Sequence, residues 1–581
     1  MSADSKEQKK NKINLVLYWH MHQPEYRDLR NNEYSLPWTY LHTIKDYVDM
    51  VAHIESVPGA CAVVNFAPVL LEQIEDYSQQ LNGYLFHGRA LSDPLLRALA
   101  EPVITKNPQK RIGLIKDCLR ANEQRLINRF APYKMLAKMA QRIIKTPEII
   151  NYYEDQYITD LLVWYHLAWI GETVRRKDKR IKALMEKSRM YNLHDRRKLI
   201  EVIHEIISGV IGRYKKLAEE KRIELSMTPY AHPIVPLLLD IESAREAMPD
   251  VPLPGITSYP DGEQRSLWHM EKGLETFQRV FGFAPQGCWP SEGCISGATV
   301  ELISNSNIRW LASGETVLRN SLAASGIDTD RCIHTAYQYA DNKVACFFRD
   351  DGLSDLIGFK YSDWHADDAV ANLIHNIKNI ANACADDPKA IISIILDGEN
   401  AWEYYPKNGY YFLSALYKQL AEHEEINLTT YSAYLDEHSG ERDTEDKTLA
   451  TIKLDKIVAG SWVYGTFSTW IGEQDKNRAW DMLIDAKHIY DDVMAGNRLN
   501  VEDRQRAEMQ LAICEGSDWF WWFGDYNPSD SVEAFDEQFR MHLCNLYSVL
   551  GVEAPEYLSH GFSHGSGSPT AGGVMLPGKQ H

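Results

Sequence analysis

The sequence has no long hydrophobic run, no closely paired cysteines and no excess of positive charge. A membrane-spanning helix needs about 20 mainly apolar residues, and no run of that kind occurs in the 581 residues, so we predict no such helix. The formal net charge is −19, which disfavours nucleic acids and anionic membranes as partners. A neutral or cationic small molecule or polymer is the favoured partner.

The nine cysteines are scattered, odd in number and without a Cys-x-x-Cys pair. This usage favours free thiols in a reducing compartment over disulfides or a zinc site. The first twelve residues, MSADSKEQKKNK, are polar and charged, and they lack the apolar stretch of a secretory signal. We therefore expect a cytoplasmic protein in which residues 1–12 are a disordered N-terminal segment.

What the sequence does have is a series of short apolar runs, each followed by polar residues and a helical pattern. The clearest run, at 391–396, opens the stretch IISIILDGENAWEYYP. Continuous apolar runs are typical of buried parallel strands, and α/β barrels carry their chemistry at the carboxyl ends of such strands. Roughly seven strand–helix repeats can be counted, which predicts a β/α barrel over residues 13–437. The other strand-like runs lie at 13–19, 60–66, 223–227, 308–312 and 344–348, with 353–359 as either a short strand or a loop.

The rest of the chain shows where further parts are expected. Residues 84–222 are rich in Leu, Lys, Arg and Glu with few strand-like runs, which predicts a helical insertion lying over the barrel mouth. The polar stretch 438–450 predicts a linker, and helical patterns at about 475–495 and 502–522 predict an α-helical C-terminal domain over 451–555. The Gly/Ser/His-rich tail, 556–581, is predicted to be disordered.

Acidic side chains beside aromatic rings stand at two strand ends. Asp397 and Glu399 directly follow the apolar run 391–396, and Trp402 comes next. Glu292 lies in a Pro/Ser/Gly turn beside Trp289. Carboxyl groups perform acid–base chemistry on glycosidic bonds, and flat rings stack on sugar faces. The pattern therefore predicts a carbohydrate site, although a simple strand-to-helix turn capped by Asp397 is the alternative.

Three histidines follow predicted strands. His20 and His22 are two positions apart at the end of the first strand and point the same way if that segment is extended. His232 lies in the proline-rich loop TPYAHPIVP. These side chains can bind sugar hydroxyls, or, together with Asp397, a divalent metal. The aromatic residues near the C-terminal helices are expected to be mostly core, with either Trp470 or Trp519 lining a cleft.

Five motifs in one order resemble glycoside hydrolase family 57. They are HMHQP at 20–24, TPYAHPI at 228–234, WPSEGCIS at 289–296, LDGENAWEYYP at 396–406 and STWIGEQDKNRAW at 468–480. The resemblance spans about residues 13–525. It implies an incomplete seven-stranded β/α barrel followed by a helical C-terminal domain that completes the cleft. The family holds α-amylases, 4-α-glucanotransferases, branching enzymes and amylopullulanases, and this chain is most similar to the α-amylases.

The resemblance also implies roles for particular residues and no metal or other cofactor. Glu292 corresponds to the nucleophile and Asp397 to the general acid/base. Around the cleaved sugar we expect further binding residues, which are His20, His22, His232, Trp289, Glu399, Trp402, Trp470 and Asp518. The implied activity is retaining hydrolysis of α-1,4-linked glucans such as starch, glycogen or maltodextrin. The oligomeric state stays open.

The physical argument for this chemistry concerns the protonation of two carboxyl groups. A retaining glycosidase needs them about 5–5.5 Å apart, one ionised and one protonated. Burial and a like charge are expected to keep Asp397 protonated, while Glu292 would stay ionised if it accepts hydrogen bonds from loop amides. Three alternatives remain: transfer or branching on the same scaffold, a metal-dependent deacetylase- or mannosidase-like hydrolase, and a non-catalytic glycan-binding protein.

Overall fold

A curled sheet of parallel strands forms the centre of the computed structural model, which describes residues 12–438, 451–496 and 498–567. Seven strands of this described part run parallel in the order β7-β1-β2-β3-β4-β5-β6. They are β1 (Ile13–Met21), β2 (Ala62–Phe66), β3 (Ile223–Met227), β4 (Gly287–Cys288), β5 (Trp310–Ser313), β6 (Ala345–Phe348) and β7 (Ile391–Asp397). Most of these segments are short apolar runs buried on both faces, as expected for a parallel sheet.

The sheet almost closes on itself between β6 and β7. No ladder joins these two strands in the described chain, but two hydrogen bonds cross the seam. The Asp350 N–H donates to the Ser393 carbonyl oxygen at 2.8 Å, and Arg349 Nε donates to the Ile395 carbonyl oxygen at 2.9 Å. The predicted incomplete seven-stranded barrel is confirmed.

Alternate residues of β1 pack on opposite sides of the sheet. Val16 and Tyr18 belong to a hydrophobic cluster inside the barrel, whereas Leu17 and Trp19 belong to the larger cluster that lies against the surrounding helices. This alternation is the period of two that extended backbone imposes. His20 continues the inward-facing set at the strand's carboxyl end.

Further strands and helices surround the barrel. Ile426–Leu428 pairs with β1, Tyr337–Tyr339 with β6 and Ile452–Leu454 with Tyr337–Tyr339, while Arg27–Asp28 and Glu33–Tyr34 form a separate pair. The shorter connections between barrel strands carry the helices Trp38–His42, Val48–Ser56, Val235–Leu239, Gly262–Phe281, Gly297–Ser304, Glu315–Ala324, Asp351–Asp355 and Ala366–Ala383. The helices Tyr410–Ala421 and Tyr431–His438 follow β7.

Helices fill the long connection between β2 and β3 and the chain after residue 473. The connection carries Pro68–His87, Pro94–Ala100, Pro108–Asp117, Ala131–Lys145, Asp155–Trp169, Glu172–Lys177, Lys179–Lys187 and Leu193–Glu219. The later set comprises Gln474–Ala495, Val501–Cys514, Asp518–Trp522 and Ser529–Val549. Among the described helices, none is long and apolar enough to cross a membrane.

Three local expectations differ from the structure or fall outside it. Residues 353–359, expected as a strand or loop, are helical, with a short α-helix at Asp351–Asp355 that Asp350 caps through its side chain. The predicted disordered tail begins too early, because Leu558 is buried and Ser563 Oγ donates to Asp475 at 2.8 Å. Most of the predicted linker, the N-terminal segment 1–11 and residues 568–581 lie outside the described residues.

Candidate active site

A cleft opens where β1 and β7 end. Residues of the two strand ends, of the loop after β4 and of the C-terminal helices line it: His20, His22, Gln23, Pro24, Tyr26, Glu292, Asp397, Glu399, Asn400, Asp518, Trp522 and Phe535. Both carboxyl groups predicted to be catalytic therefore face one cleft. Four of the residues predicted to bind substrate line it with them. In the described part of the chain, residues 84–222 contribute nothing to this lining.

Strand register brings the first polar residues together. His20 on β1 lies opposite Asp397 on β7 and, on its other side, opposite Asn65 on β2. His20 Nδ1 is 2.6 Å from Asn65 Oδ1, and Asn65 Nδ2 donates to Ser226 Oγ on β3 at 3.2 Å. Parallel pairing thus sets a row of polar groups at one level of the barrel mouth, with the Asp397 carboxyl group at its end.

Glu292 is held by a turn with unusual backbone geometry. Its φ and ψ are 57° and 25°, in the left-handed region that non-glycine residues rarely occupy. Two contacts fix the turn from neighbouring segments: Ser313 Oγ, at the end of β5, donates to the Gly293 carbonyl oxygen at 2.5 Å, and the Trp462 N–H donates to the Glu292 carbonyl oxygen at 3.2 Å. Strained residues held in this way cluster at functional sites.

The carboxylate of Glu292 has a different donor from the one expected. Among the described residues, the ring N–H of Trp462 donates to Glu292 Oε2 at 3.2 Å, and no loop amide donates to this carboxylate. The condition under which loop amides would keep Glu292 ionised is therefore not met in the described residues. Trp462 and Glu292 are 170 positions apart in the chain. Their hydrogen bond therefore depends on the fold and not on local sequence.

The three predicted histidines form one stack. The ring centroids of His22 and His232 are 3.9 Å apart, and those of His20 and His232 are 5.1 Å apart. His22 Nε2 donates to Asp518 at 2.8 Å, and His232 Nδ1 lies 2.8 Å from Ser517 Oγ. Since Ser517 and Asp518 belong to the C-terminal region, that region fixes the orientation of two barrel histidines.

Burial changes the proton affinity of these groups. It raises the pKa of Asp397 to about 6, against the opposing effects of the Asn400 side chain, His22 and Arg349. Burial, with the nearby charges of Asp397 and Asp518, raises the pKa of Glu292 well above its usual range. Burial also lowers the pKa of His20 to about 3. Burial therefore disfavours charge on Asp397, Glu292 and His20.

Several buried polar atoms of this site have no hydrogen-bond partner among the described residues. They are His20 Nε2, His22 Nδ1, His232 Nε2, Trp289 Nε1 and Glu399 Oε2. Buried polar atoms in folded proteins are nearly always paired, and each unpaired one costs about 1–3 kcal/mol. A group of them around one cleft fits a ligand that brings many donors and acceptors, such as a sugar.

The structure does not bring two of the predicted tryptophans to the cleft. Trp402 donates its ring N–H to the Gly398 carbonyl oxygen and packs against Trp19 and Phe412 in the core. Trp470 is fully buried beside Trp521.

Aromatic residues that the sequence did not identify line the cleft instead. They are Tyr26, Trp522 and Phe535. Trp289 is buried behind this surface, between His20 and Trp462, with ring centroids 6.1 and 5.1 Å away. Trp519, the other aromatic residue considered for the cleft, packs against Phe539.

One group at the cleft has the donor atoms of a metal site. His22, His232 and Asp518 each offer one ligand atom, and these atoms lie within 4.8 Å of one another. Two imidazoles and a carboxylate suit zinc or a similar divalent ion. In the structure, however, the His22 and Asp518 atoms are already hydrogen-bonded to each other. The arrangement is thus compatible both with a metal and with a hydrogen-bonded sugar site.

A β/α barrel with two carboxyl groups facing a cleft at the carboxyl ends of its strands is an arrangement typical of glycoside hydrolases. The sequence comparison specifies the family. The chain belongs to glycosyl hydrolase family 57, whose family profile matches residues 16–446. No curated protein sequence matches the chain.

Three solved structures share the fold at low sequence identity. A family 57 branching enzyme from Thermococcus kodakaraensis, in complex with glucose, is 13% identical, with a TM-score of 0.56 over 92% of this chain and 90% of that one. A branching enzyme from Pyrococcus horikoshii is 13% identical, with a TM-score of 0.53 over 97% of this chain and 99% of that one. The α-amylase AmyC from Thermotoga maritima is 12% identical, with a TM-score of 0.54 over 93% of each chain.

Proposed function

We propose that this protein cleaves α-1,4-linked glucans by double displacement with retention of configuration. The observation that carries the proposal is that Glu292 and Asp397 line one cleft. Around it, buried polar atoms without a hydrogen-bond partner among the described residues suit a polyhydroxylated ligand. Two further observations support an α-glucan as the substrate. The chain belongs to family 57, and the structures that share its fold are named as a branching enzyme and an α-amylase.

In the first step the Glu292 carboxylate attacks the anomeric carbon, and Asp397 gives its proton to the leaving glycosidic oxygen. The product is an ester between Glu292 and the sugar. In the second step Asp397, now ionised, takes a proton from water or from an acceptor hydroxyl group, whose oxygen attacks the same carbon and releases Glu292. Two inversions give net retention.

The electrostatics of the cleft favour a shared proton in the free enzyme. Both carboxyl groups have raised pKa values, because each is buried and Glu292 is also near negative charges. Two such groups titrate as a coupled pair that keeps one proton more easily than none. Positive charge that develops on the sugar then favours ionised Glu292 and leaves the proton on Asp397, where the leaving oxygen needs it.

The C-terminal region is part of this proposal. We assign residues 451–555 to a helical domain that completes the cleft, since Asp518, Trp522 and Phe535 line it and Trp462 donates to Glu292. Rings at the rim are suited to stacking on further sugar units. His20, His22 and His232 are assigned to binding the hydroxyl groups of the cleaved unit.

A metal-dependent hydrolase is the second candidate, and the donors of His22, His232 and Asp518 are the observation in its favour. A bound divalent ion would activate water directly and would not require a covalent intermediate. The two candidates differ in whether turnover depends on the ion.

Incubation with maltoheptaose tests both candidates. Shorter maltooligosaccharides alone indicate hydrolysis, longer chains indicate 4-α-glucan transfer, and new 1,6 linkages indicate branching. We expect cleavage, with product lengths read by chromatography, and we expect the same rate after treatment with EDTA. Loss of turnover on chelation and its return with added zinc would favour the metal-dependent candidate. No product under any condition would reject α-1,4-glucans as substrate.

The reaction is expected to slow at alkaline pH, once the pair of carboxyl groups loses its last proton. Burial raises the pKa of both groups, and Asp397 must carry that proton in the first step, so kcat/KM on maltoheptaose should fall about tenfold for each pH unit beyond the upper pKa of the pair. Initial rates between pH 4 and 10 measure the profile. A rate that stays constant up to pH 10 would contradict the role of Asp397 as the acid.

A further inference from the structure

A second cluster of metal-binding side chains lies away from the cleft. Cys332 and His334 belong to the connection between β5 and β6, and Cys384 follows the helix Ala366–Ala383. One ligand atom from each lies within 4.8 Å of the other two. None of the three lines the cleft in the described chain. The 50-residue separation of His334 and Cys384 explains why sequence spacing predicted no zinc site.

The distances between these atoms fit one shared ion. Cys332 Sγ is 3.4 Å and Cys384 Sγ is 3.9 Å from the same nitrogen, His334 Nδ1. In a tetrahedral zinc site, with bonds of about 2.3 Å to sulfur and about 2.0 Å to nitrogen, ligand sulfur and nitrogen atoms lie about 3.5 Å apart. Only small side-chain movements would place an ion between the three atoms.

The other nitrogen of His334 provides an independent observation. His334 Nε2 is 2.8 Å from Asp350 Oδ2, and both side chains are largely buried. A histidine that binds a metal almost always donates its remaining ring N–H to a carboxylate or carbonyl group, which fixes the ring and strengthens the ligand. Asp350 is itself fixed, because its Oδ1 accepts from the Leu353 N–H at 2.7 Å. The histidine is thus already oriented with Nδ1 towards the two thiols.

We propose that Cys332, His334 and Cys384 bind a zinc ion, with Asp350 as the residue that orients His334. Two thiolates and one imidazole select a thiophilic ion of this class over magnesium or calcium. The fourth position is left to water or a solvent ligand, and the exposed Cys332 provides the entry path. This inference does not depend on the proposed function.

The position of the cluster indicates a structural role. The His334 carbonyl oxygen accepts from the N–H of Ile391, the first residue of β7, at 2.9 Å. The backbone N–H of Asp350 donates across the seam to the carbonyl oxygen of Ser393 on β7. A zinc ion here would link the loop between β5 and β6 to the end of the helix Ala366–Ala383. Both lie beside the seam between β6 and β7, where no ladder joins the strands in the described chain. It would therefore stabilise the one open edge of the barrel.

Metal binding by the reduced full-length protein tests the proposal. We expect the chelated protein to take up one equivalent of Co²⁺ at this cluster, with the near-ultraviolet absorption of thiolate-to-cobalt charge transfer, and to exchange it for Zn²⁺. The His22, His232 and Asp518 group has no sulfur and cannot give that absorption. A hundredfold excess of Zn²⁺ over its Kd should raise the Tm by about 2 °C in a protein of this size.

Three variants and one control make the test specific. Cys332→Ser, at an exposed position, should remove the charge-transfer absorption without affecting folding, and Cys384→Ser should do the same if it folds. Asp350→Asn should weaken zinc binding about 10–100-fold while keeping the absorption. The control Cys544→Ser removes another partly accessible thiol and should behave as the native protein. A native protein without the absorption, or a Cys332→Ser variant that keeps it, would overturn the proposal.

Discussion

Replacement of Glu292 by alanine is expected to lower kcat by about 10⁴-fold or more, as the loss of a catalytic nucleophile does in other enzymes. Without the carboxylate, the covalent ester cannot form, and the oxocarbenium-like transition state loses its nearest negative charge. Binding of a maltooligosaccharide, measured by calorimetry, should survive because the histidines and the rim residues remain. Cleavage of 4-nitrophenyl maltooligosaccharides measures the residual rate.

Azide distinguishes a nucleophile from a residue needed only for folding. In the space left by the Glu292 side chain, azide should attack the anomeric carbon from the same face and give a glycosyl azide of inverted configuration. Glu301→Ala, which removes an exposed glutamate from the neighbouring helix Gly297–Ser304, is the matched control and should keep full activity. Unchanged turnover in Glu292→Ala would reject the assignment and would favour a different catalytic centre on this barrel.

Asp397→Asn is the second large effect, with an expected loss of about 10²–10⁴-fold in kcat/KM on maltoheptaose. The size should depend on the leaving group. A 4-nitrophenolate leaves without a proton, so the first step should be nearly normal with the nitrophenyl substrate, and the covalent intermediate should accumulate as a burst. Azide should then give a product of retained configuration, opposite to that from Glu292→Ala.

A stability measurement separates this role from a structural one. Because burial raises the pKa of Asp397 in the folded state, the folded protein holds this proton between its usual pKa of 3.8 and about 6, where the unfolded chain releases it. Stability from this group is therefore present at low pH and lost as the pH rises through that window. Asn carries no charge, so the Asp397→Asn variant should melt no lower than the native protein at pH 7.

The control is Asp386→Asn, which changes an exposed aspartate and should leave both turnover and melting unchanged. An equal loss of kcat/KM with maltoheptaose and with the nitrophenyl substrate would contradict the assignment of Asp397 as the acid.

Much of the barrel could be predicted because its strands are continuous apolar runs. The strand predicted at 223–227 has the same bounds in the structure, and the run at 391–396 is extended by one residue, Asp397. The segment 353–359 was less predictable. Its apolar residues suit a strand, but the Asp350 cap begins a helix that covers the barrel edge. A helix cap of this kind competes with the strand propensity of the apolar residues. In a short apolar segment the sequence does not show whether the cap or the propensity determines the structure.

The candidate site was predictable only where a strand end or a motif marked it. His20, Asp397 and Glu292 were identified in this way. Trp462 and Ser517 were not assigned to the site, because their partners, Glu292 and His232, are 170 and 285 positions away in the chain. The family profile also ends at residue 446, before both of them.

Aromatic residues were the least predictable part. Trp402 lies in the same motif as Asp397, and Trp470 lies in the motif at 468–480, yet both rings pack in the core. Trp522, from a helix with three other aromatic residues, lines the cleft instead. Which face of such a cluster points outward is decided by tertiary packing, and the sequence pattern of a five-residue helix does not specify it.

The hydrogen bond between His22 and Asp518 joins positions 496 residues apart. On the ribosome, His22 emerges 496 residues before Asp518, and domains usually fold from the N-terminus as they appear. All seven barrel strands can therefore pair before the groups that orient the histidines exist. A growing chain, or one truncated before residue 517, would hold both candidate catalytic carboxyl groups and still lack the side chains that orient His22 and His232, so we expect it to show none of the proposed activity.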